Sequence, residues 1–224
     1  MEQAIGAVLP LAVAVALSPF PVVAVILVLG SSRARTSGPA FAVGWVAGLT
    51  ALSALVVLLA ADAEDPSSST ATGVGWVELV LGVGLLVLAA RKWQQRPGPG
   101  EEVEMPGWMA GIDDVAPGRA LVLGLALGGV NPKNIALTVA AAASIAETGV
   151  SGGELVVAVG VYVVLASATV LGAVGAHLVL GERAAAGLAS VREVMTRHNA
   201  VIVMVVLLVF GAKLIGDGLA DIAR

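Results

Sequence analysis

Gly128-Gly129-Val130-Asn131-Pro132-Lys133-Asn134 sits in the middle of an otherwise apolar run covering 119–146. Proline has no N–H, and its ring clashes with the carbonyl four residues back. Pro132 is therefore expected to free the carbonyl of Gly128. A freed carbonyl in hydrocarbon is costly, so it must face protein, water or a ligand. The stretch reads as a membrane helix broken near the bilayer midplane. A second break, Ser18-Pro19-Phe20-Pro21, divides the run 4–29 in the same way. There Pro19 is expected to free the carbonyl of Val15, and Pro21 that of Leu17.

The composition around these breaks belongs to a membrane. Of 224 residues, 58% are hydrophobic and 12% charged, whereas a soluble domain carries about a quarter charged residues. Uncharged blocks of about 18 residues or more read as spans. We expect six, at 4–29, 39–61, 73–90, 119–146, 153–180 and 199–217. The first is kept as a span, since Glu2 stands where a cleaved leader carries Lys or Arg and the apolar run is long.

Charge sets the expected orientation. The loops after spans one, three and five carry Arg33, Arg35, Arg91, Lys92, Arg96, Arg119, Arg183, Arg192 and Arg197, nine of the twelve basic residues. The opposite side carries Glu2, Asp62–Asp65, Glu147, Asp217 and Asp221, with Arg224 its lone cation. Positive loops stay cytoplasmic, which predicts a multi-pass protein of the inner (plasma) membrane with both termini outside. The 91–118 linker is rich in Pro and Gly, and its Pro106, Trp108, Met109 and Ile112 suggest a segment lying in the inner interface. Leu188, Val191 and Met195 recur at helical spacing and suggest a second interfacial helix.

The two halves resemble each other. Leu17-Ser18-Pro19 matches Val130-Asn131-Pro132 at an offset of 113, and Ser37-Gly38 matches Ser151-Gly152 at 114. Ser53 and Ser167 keep the 114 offset, and Leu85–Arg91 resembles Leu207–Lys213. Three spans per half would turn the second half upside down. The fold class expected is an all-α membrane protein of two inverted three-helix repeats, residues 1–90 and 119–224, joined by the 91–118 linker, with spans one and four broken. Secondary transporters recurrently use this plan, with the substrate site at the midplane.

Each break starts a half-helix whose N-terminal end points at the midplane. Such ends carry partial positive charge and free N–H donors, and Lys133 adds a full charge. Together they favour an anionic group. A lysine in mid-span costs about 2.5–3.5 kcal/mol on insertion scales and faces a polar cavity. Two readings of Lys133 stand: a cap on carbonyls of the opposite break, or a substrate and proton-coupling site. Asn131, Asn134 and Ser18 divide in the same way between satisfying broken backbone and touching substrate. Glu78 in span three and Lys213 in span six are secondary candidates, either pairing across the repeats or reaching to the outer interface. Tyr162, Thr138, Ser53 and Ser167 read first as packing residues, and His177 as structural. Gly44–Gly48 and Gly124–Gly128 are small-xxx-small pairs that let helices approach closely.

Several functions are disfavoured. Without cysteine there is no disulfide or thiol relay. No residues show metal-ligand spacing, so neither a metal nor a cofactor is expected. No phosphate-binding Gly-x4-Gly-Lys-Ser/Thr loop is present, no nucleophile–base pair suggests an enzyme, and scattered basic residues give no nucleic-acid surface.

The motif set resembles a known family. A proline break in span one with Asn131-Pro132-Lys133-Asn134 in span four resembles the lysine-exporter superfamily. Pro106-Gly107-Trp108-Met109, Ile112-Asp113 and Pro117-Gly118-Arg119-Ala120-Leu121 make the chain similar to its glycolipid-addressing (peptidoglycolipid/sulfolipid-addressing) family. The resemblance implies proton-driven export of a cell-envelope glycolipid or another amphipathic or anionic solute. It also implies roles for Lys133 and for Asp113 or Asp114, which otherwise read as a solvated loop. The implied partners are the lipid bilayer, the substrate and protons. A homodimer and a larger lipid-export machinery stay open as further partners. The alternative is a non-transporting accessory subunit of such a machinery.

Overall fold

A computed structural model describes residues 1–61, 68–94, 115–146 and 148–222, and among them every regular element is helical. The helices are α1 Glu2–Ala16, α2 Pro19–Leu29, α3 Ala34–Ala61, α4 Ser68–Gln94, α5 Pro117–Gly129, α6 Pro132–Ala146, α7 Gly152–Ala166, α8 Ala168–Leu180, α9 Ala185–Arg197 and α10 Asn199–Ile222. A short 3-10 turn, Gly181–Ala184, joins α8 to α9 and begins at Gly181, whose φ of 56° suits glycine.

Among the described residues, Ala34–Leu58 of α3 and Ala200–Ala220 of α10 are long and apolar enough to cross a membrane as single helices. Three bent pairs qualify if each counts as one span: α1 with α2 at 53°, α5 with α6 at 52°, and α7 with α8 and its continuation at 57°. That makes up to five. Helix α4 covers the remaining expected span, but part of its side chains lies outside the described residues and it stands outside that count. The breaks expected at Pro19 and Pro132 are present, and each proline is the first residue of its second helix. That is the position where a missing N–H costs nothing.

One expectation needs correction. Breaks are expected in spans one and four alone, yet the run 153–180 also breaks, at Ser167, with neither proline nor glycine at the break. Conversely, Pro10 lies inside α1 and Pro39 inside α3 without ending either helix. Helix α9 forms where the Leu188, Val191 and Met195 spacing placed a second amphipathic helix, with none of its residues fully buried. The interfacial segment expected at 106–112 and the acidic residues Asp62–Asp65 lie outside the described residues.

The chain divides into two compact units, and each draws on both halves of the sequence. Unit one comprises Met1–Val56 and Glu102–Arg197. At its centre is α2, with nine of eleven residues buried: Pro19, Pro21, Val22, Val23, Ala24, Val25, Ile26, Val28 and Leu29. A helix apolar all round belongs inside a bundle, and α2 is packed by α5, α8 and α9. Helix α1 buries Ala4, Val8, Leu11 and Val15, one stripe at helical spacing, and packs on α6 and α7. Both small-xxx-small pairs meet in one crossing of α3 on α5. A Cβ on Gly44 or Gly48 would overlap the backbone of Leu121 or Leu125, and one on Gly124 or Gly128 the backbone of Phe41 or Trp45. Ser37 Oγ donates to the Val115 carbonyl at 2.7 Å, tying the start of α3 to the residues before α5.

Unit two comprises Val57–Glu101 and His198–Arg224. Its two main helices, α4 and α10, pack closely where Gly82 faces Gly211 and Ile215. They contain the Leu85–Arg91 and Leu207–Lys213 stretches, which resemble each other in sequence.

Candidate functional site

The site in unit one is built by carbonyls that the α1–α2 break leaves without helical donors. The Leu17 N–H still reaches the Val13 carbonyl at 2.9 Å, but the next amide shortens its step, and the Ser18 N–H bonds Val15 at 3.0 Å. The carbonyl of Ala14, which a continuing helix would pair with Ser18, is thereby vacated. Ala16 would pair with Phe20, which now opens a helix on another axis, and Leu17 would pair with Pro21, which has no N–H. The expectation for Val15 is corrected by this geometry. Pro19 cannot serve its carbonyl, but Ser18 does.

Side chains from the second half of the sequence fill two of these positions. Lys133 Nζ donates to the Ala14 carbonyl at 2.8 Å. Thr169 Oγ1 donates to the Ala16 carbonyl at 2.6 Å. A helix C-terminus carries partial negative charge, so the Lys133 ammonium sits at the end of α1 that favours a cation. Of its three donors, this bond uses one. Lys133 is half-buried, while Ser18, the residue preceding α2, is buried.

The α5–α6 break is closed from within. Asn134, fully buried, donates its Nδ2 to the carbonyls of Leu127 at 2.9 Å and Gly128 at 3.3 Å. The carbonyl expected to be freed by Pro132 is thus recovered by a side chain two residues past its own helical donor position. Asn131 Oδ1 accepts the Lys133 N–H at 3.1 Å, capping α6. Asn134 Oδ1 has no partner among the described residues. Four residues along α6, Thr138 shares a hydrogen bond with Tyr162 of α7 at 3.0 Å, both side chains buried.

This geometry bears on the anion reading of the two half-helix starts. In α2, Pro19 and Pro21 remove two of the first three N–H groups. In α6, Pro132 removes one and Asn131 takes the next. Few donors remain at either start for an incoming anion, and the full positive charge nearby already faces a carbonyl.

The other candidates lie elsewhere. In unit two, Lys213 pairs with Asp217 one turn along α10, both side chains partly exposed. Glu78 belongs to α4, but its side chain lies outside the described residues. Asp113 and Asp114 also lie outside them. No group of three or more metal-ligating side chains occurs among the described residues. Sequence reasoning missed Thr169 altogether, and a lone threonine in an apolar run carries no signal that would single it out. Unit one also bears an open apolar groove of about 630 Å³, walled by Ala42, Val46, Thr50 and Ala54 of α3 and by Leu171 of α8.

A family profile described as Sap, sulfolipid-1-addressing protein, matches residues 8–220. Neither the curated proteins nor the solved structures gave a match.

Proposed function

Because the chain belongs to the sulfolipid-1-addressing protein family, whose name places it among lipid-addressing membrane proteins, we propose that it is a secondary transporter rather than an enzyme. It exports a cell-envelope glycolipid or another amphipathic or anionic solute at the expense of a proton gradient. The observation that carries this reading is the bond from Lys133 Nζ to the Ala14 carbonyl. It joins two broken spans through a charge that a substrate anion or a moving proton can reset. The apolar groove between α3 and α8 suits the hydrocarbon part of an amphipathic substrate.

The inverted-repeat plan supports the same reading. The first helix of each broken span ends at Ala16 or Gly129, and the second begins at Pro19 or Pro132, both offsets being 113. The bends are 53° and 52°. With the basic loops inside, both termini face outward.

The same lysine bond also favours a second reading, in which Lys133 only caps backbone and the chain is an accessory subunit of a larger export machinery. Proteoliposomes with a pH gradient and a lumenal pH dye separate the two. Arginine keeps a positively charged donor but does not release its proton. Substrate-dependent proton movement that is lost in Lys133→Arg, in a protein that stays folded, supports transport. Envelope-lipid export at wild-type level from cells carrying Lys133→Arg or Lys133→Ala would move the reading to the accessory subunit.

A further inference from the structure

Three spans of unit one are bent, but the third bend differs in cause. At the first two, Pro19 and Pro132 cannot supply the N–H that an unbroken hydrogen-bond ladder needs. The third lies in Ala166-Ser167-Ala168, and every residue from 163 to 171 keeps its N–H. Ser167 has φ −94° and ψ −3°, an ordinary conformation for a helix end. Its N–H is shared between the carbonyls of Val163 at 3.0 Å and Val164 at 3.2 Å, and its carbonyl accepts from Leu171 at 2.8 Å. Nothing covalent forbids a straight helix here. From outside, Thr169 Oγ1 bonds the Ala16 carbonyl and α8 packs on α2.

The position 114 residues earlier is Ser53, in Leu52-Ser53-Ala54, and there α3 runs unbroken from Ala34 to Ala61. The two serines share a second property. Both side chains are buried, and neither hydroxyl has a partner among the described residues. A serine hydroxyl in a helix can bond the carbonyl one turn back and so favour a bend, and in membranes such groups satisfy carbonyls that a break frees. Each half thus carries the same device, bent in one and straight in the other.

We propose that Ser53 and Ser167 are paired hinges that exchange states, α3 bending at Ser53 as α7 and α8 straighten at Ser167. The proposal rests on the inverted-repeat transporter reading. In such a repeat the exchanged state is the present one turned over, so exchange moves access from one membrane face to the other.

The chain has no cysteine, so spin labels go cleanly onto Val156→Cys and Val179→Cys, at positions 71% and 83% exposed on the two arms. At 1.5 Å per residue, these backbone positions lie about 34 Å apart in a straight helix, and a bend at Ser167 brings them closer. Ala168→Pro copies the Ser18-Pro19 arrangement and should fix the shorter distance, with at least tenfold loss of substrate flux. Ala54→Pro, or the milder Ala54→Gly, should shift the population toward the longer distance although both changes lie in α3 and not in the labelled helices. Size-exclusion profiles in detergent identify which variants fold. A distance that neither folded Ala54 variant moves overturns the hinge pair, as does wild-type flux in Ala168→Pro. The latter would leave transport itself standing. Absent flux in the unmodified protein would instead count against the transporter reading, while the distances still report on exchange.

Discussion

Lys133 and Ala14 are 119 residues apart in sequence and joined at 2.8 Å by an ammonium-to-carbonyl hydrogen bond. The bond closes one of the gaps that the α1–α2 break opens. Removing the lysine side chain leaves a sheltered carbonyl without a donor, a loss of about 1–3 kcal/mol. Lys133→Ala should lower the thermal midpoint of the detergent-solubilised protein accordingly, and Lys133→Arg should recover most of it. A midpoint unchanged in Lys133→Ala would show that the bond contributes nothing to the fold.

The two asparagines of the α5–α6 break should separate by magnitude. Asn134→Leu orphans the carbonyls of both Leu127 and Gly128, for about 2–4 kcal/mol. Asn131→Ala removes one helix cap, for about 1 kcal/mol. Thermal unfolding of both variants in the same detergent checks the order, and the reverse order would contradict the bonding described.

Thr138 and Tyr162 form a buried hydroxyl pair between α6 and α7. Thr138→Val and Tyr162→Phe should each cost about 1 kcal/mol. The double variant should cost clearly less than their sum, since both remove the same bond. Simple additivity in the cycle would mean the two hydroxyls do not interact.

Glycines give a contrast within one unit. Gly44→Ala and Gly124→Ala drive a methyl group into the backbone across the α3–α5 crossing and should cost at least about 2 kcal/mol. Gly175→Ala in α8 meets open space and should be neutral or stabilising by up to about 1 kcal/mol. Expression level and thermal midpoint read the difference, and a tolerated Gly44→Ala would refute the close crossing.

Lys213 supplies the opposite case. Its pairing with Asp217 is partly exposed, and such pairs contribute about 0–1 kcal/mol. Lys213→Ala should leave the thermal midpoint and any measured flux within error of the wild type. A large loss of flux would bring Lys213 back as a functional residue.

What was legible in the sequence follows from which residues act alone. Pro19 and Pro132 break helices through their own covalent structure, so both breaks could be read directly. The Gly44–Gly48 and Gly124–Gly128 spacings announced close packing, although not that the two pairs would meet each other. Ser167 was opaque for the opposite reason. No proline or glycine marks its bend, and the Thr169 hydroxyl beside it meets a carbonyl of α1, a partner 153 residues away that no local pattern reveals. Val15 was misassigned because a one-residue tightening at Ser18 transfers the vacancy to Ala14, and such slippage has no signature in composition or spacing.

The clamps on α1 also bear on how the chain is made. The donors to residues 14 and 16 are Lys133 and Thr169, made 119 and 153 residues later. At about 5–20 residues per second, α1 waits on the order of ten seconds for these donors. A chain still under synthesis therefore carries α1 without these two donors. A gene split before residue 117 should yield a first fragment that accumulates only when the second is made alongside it.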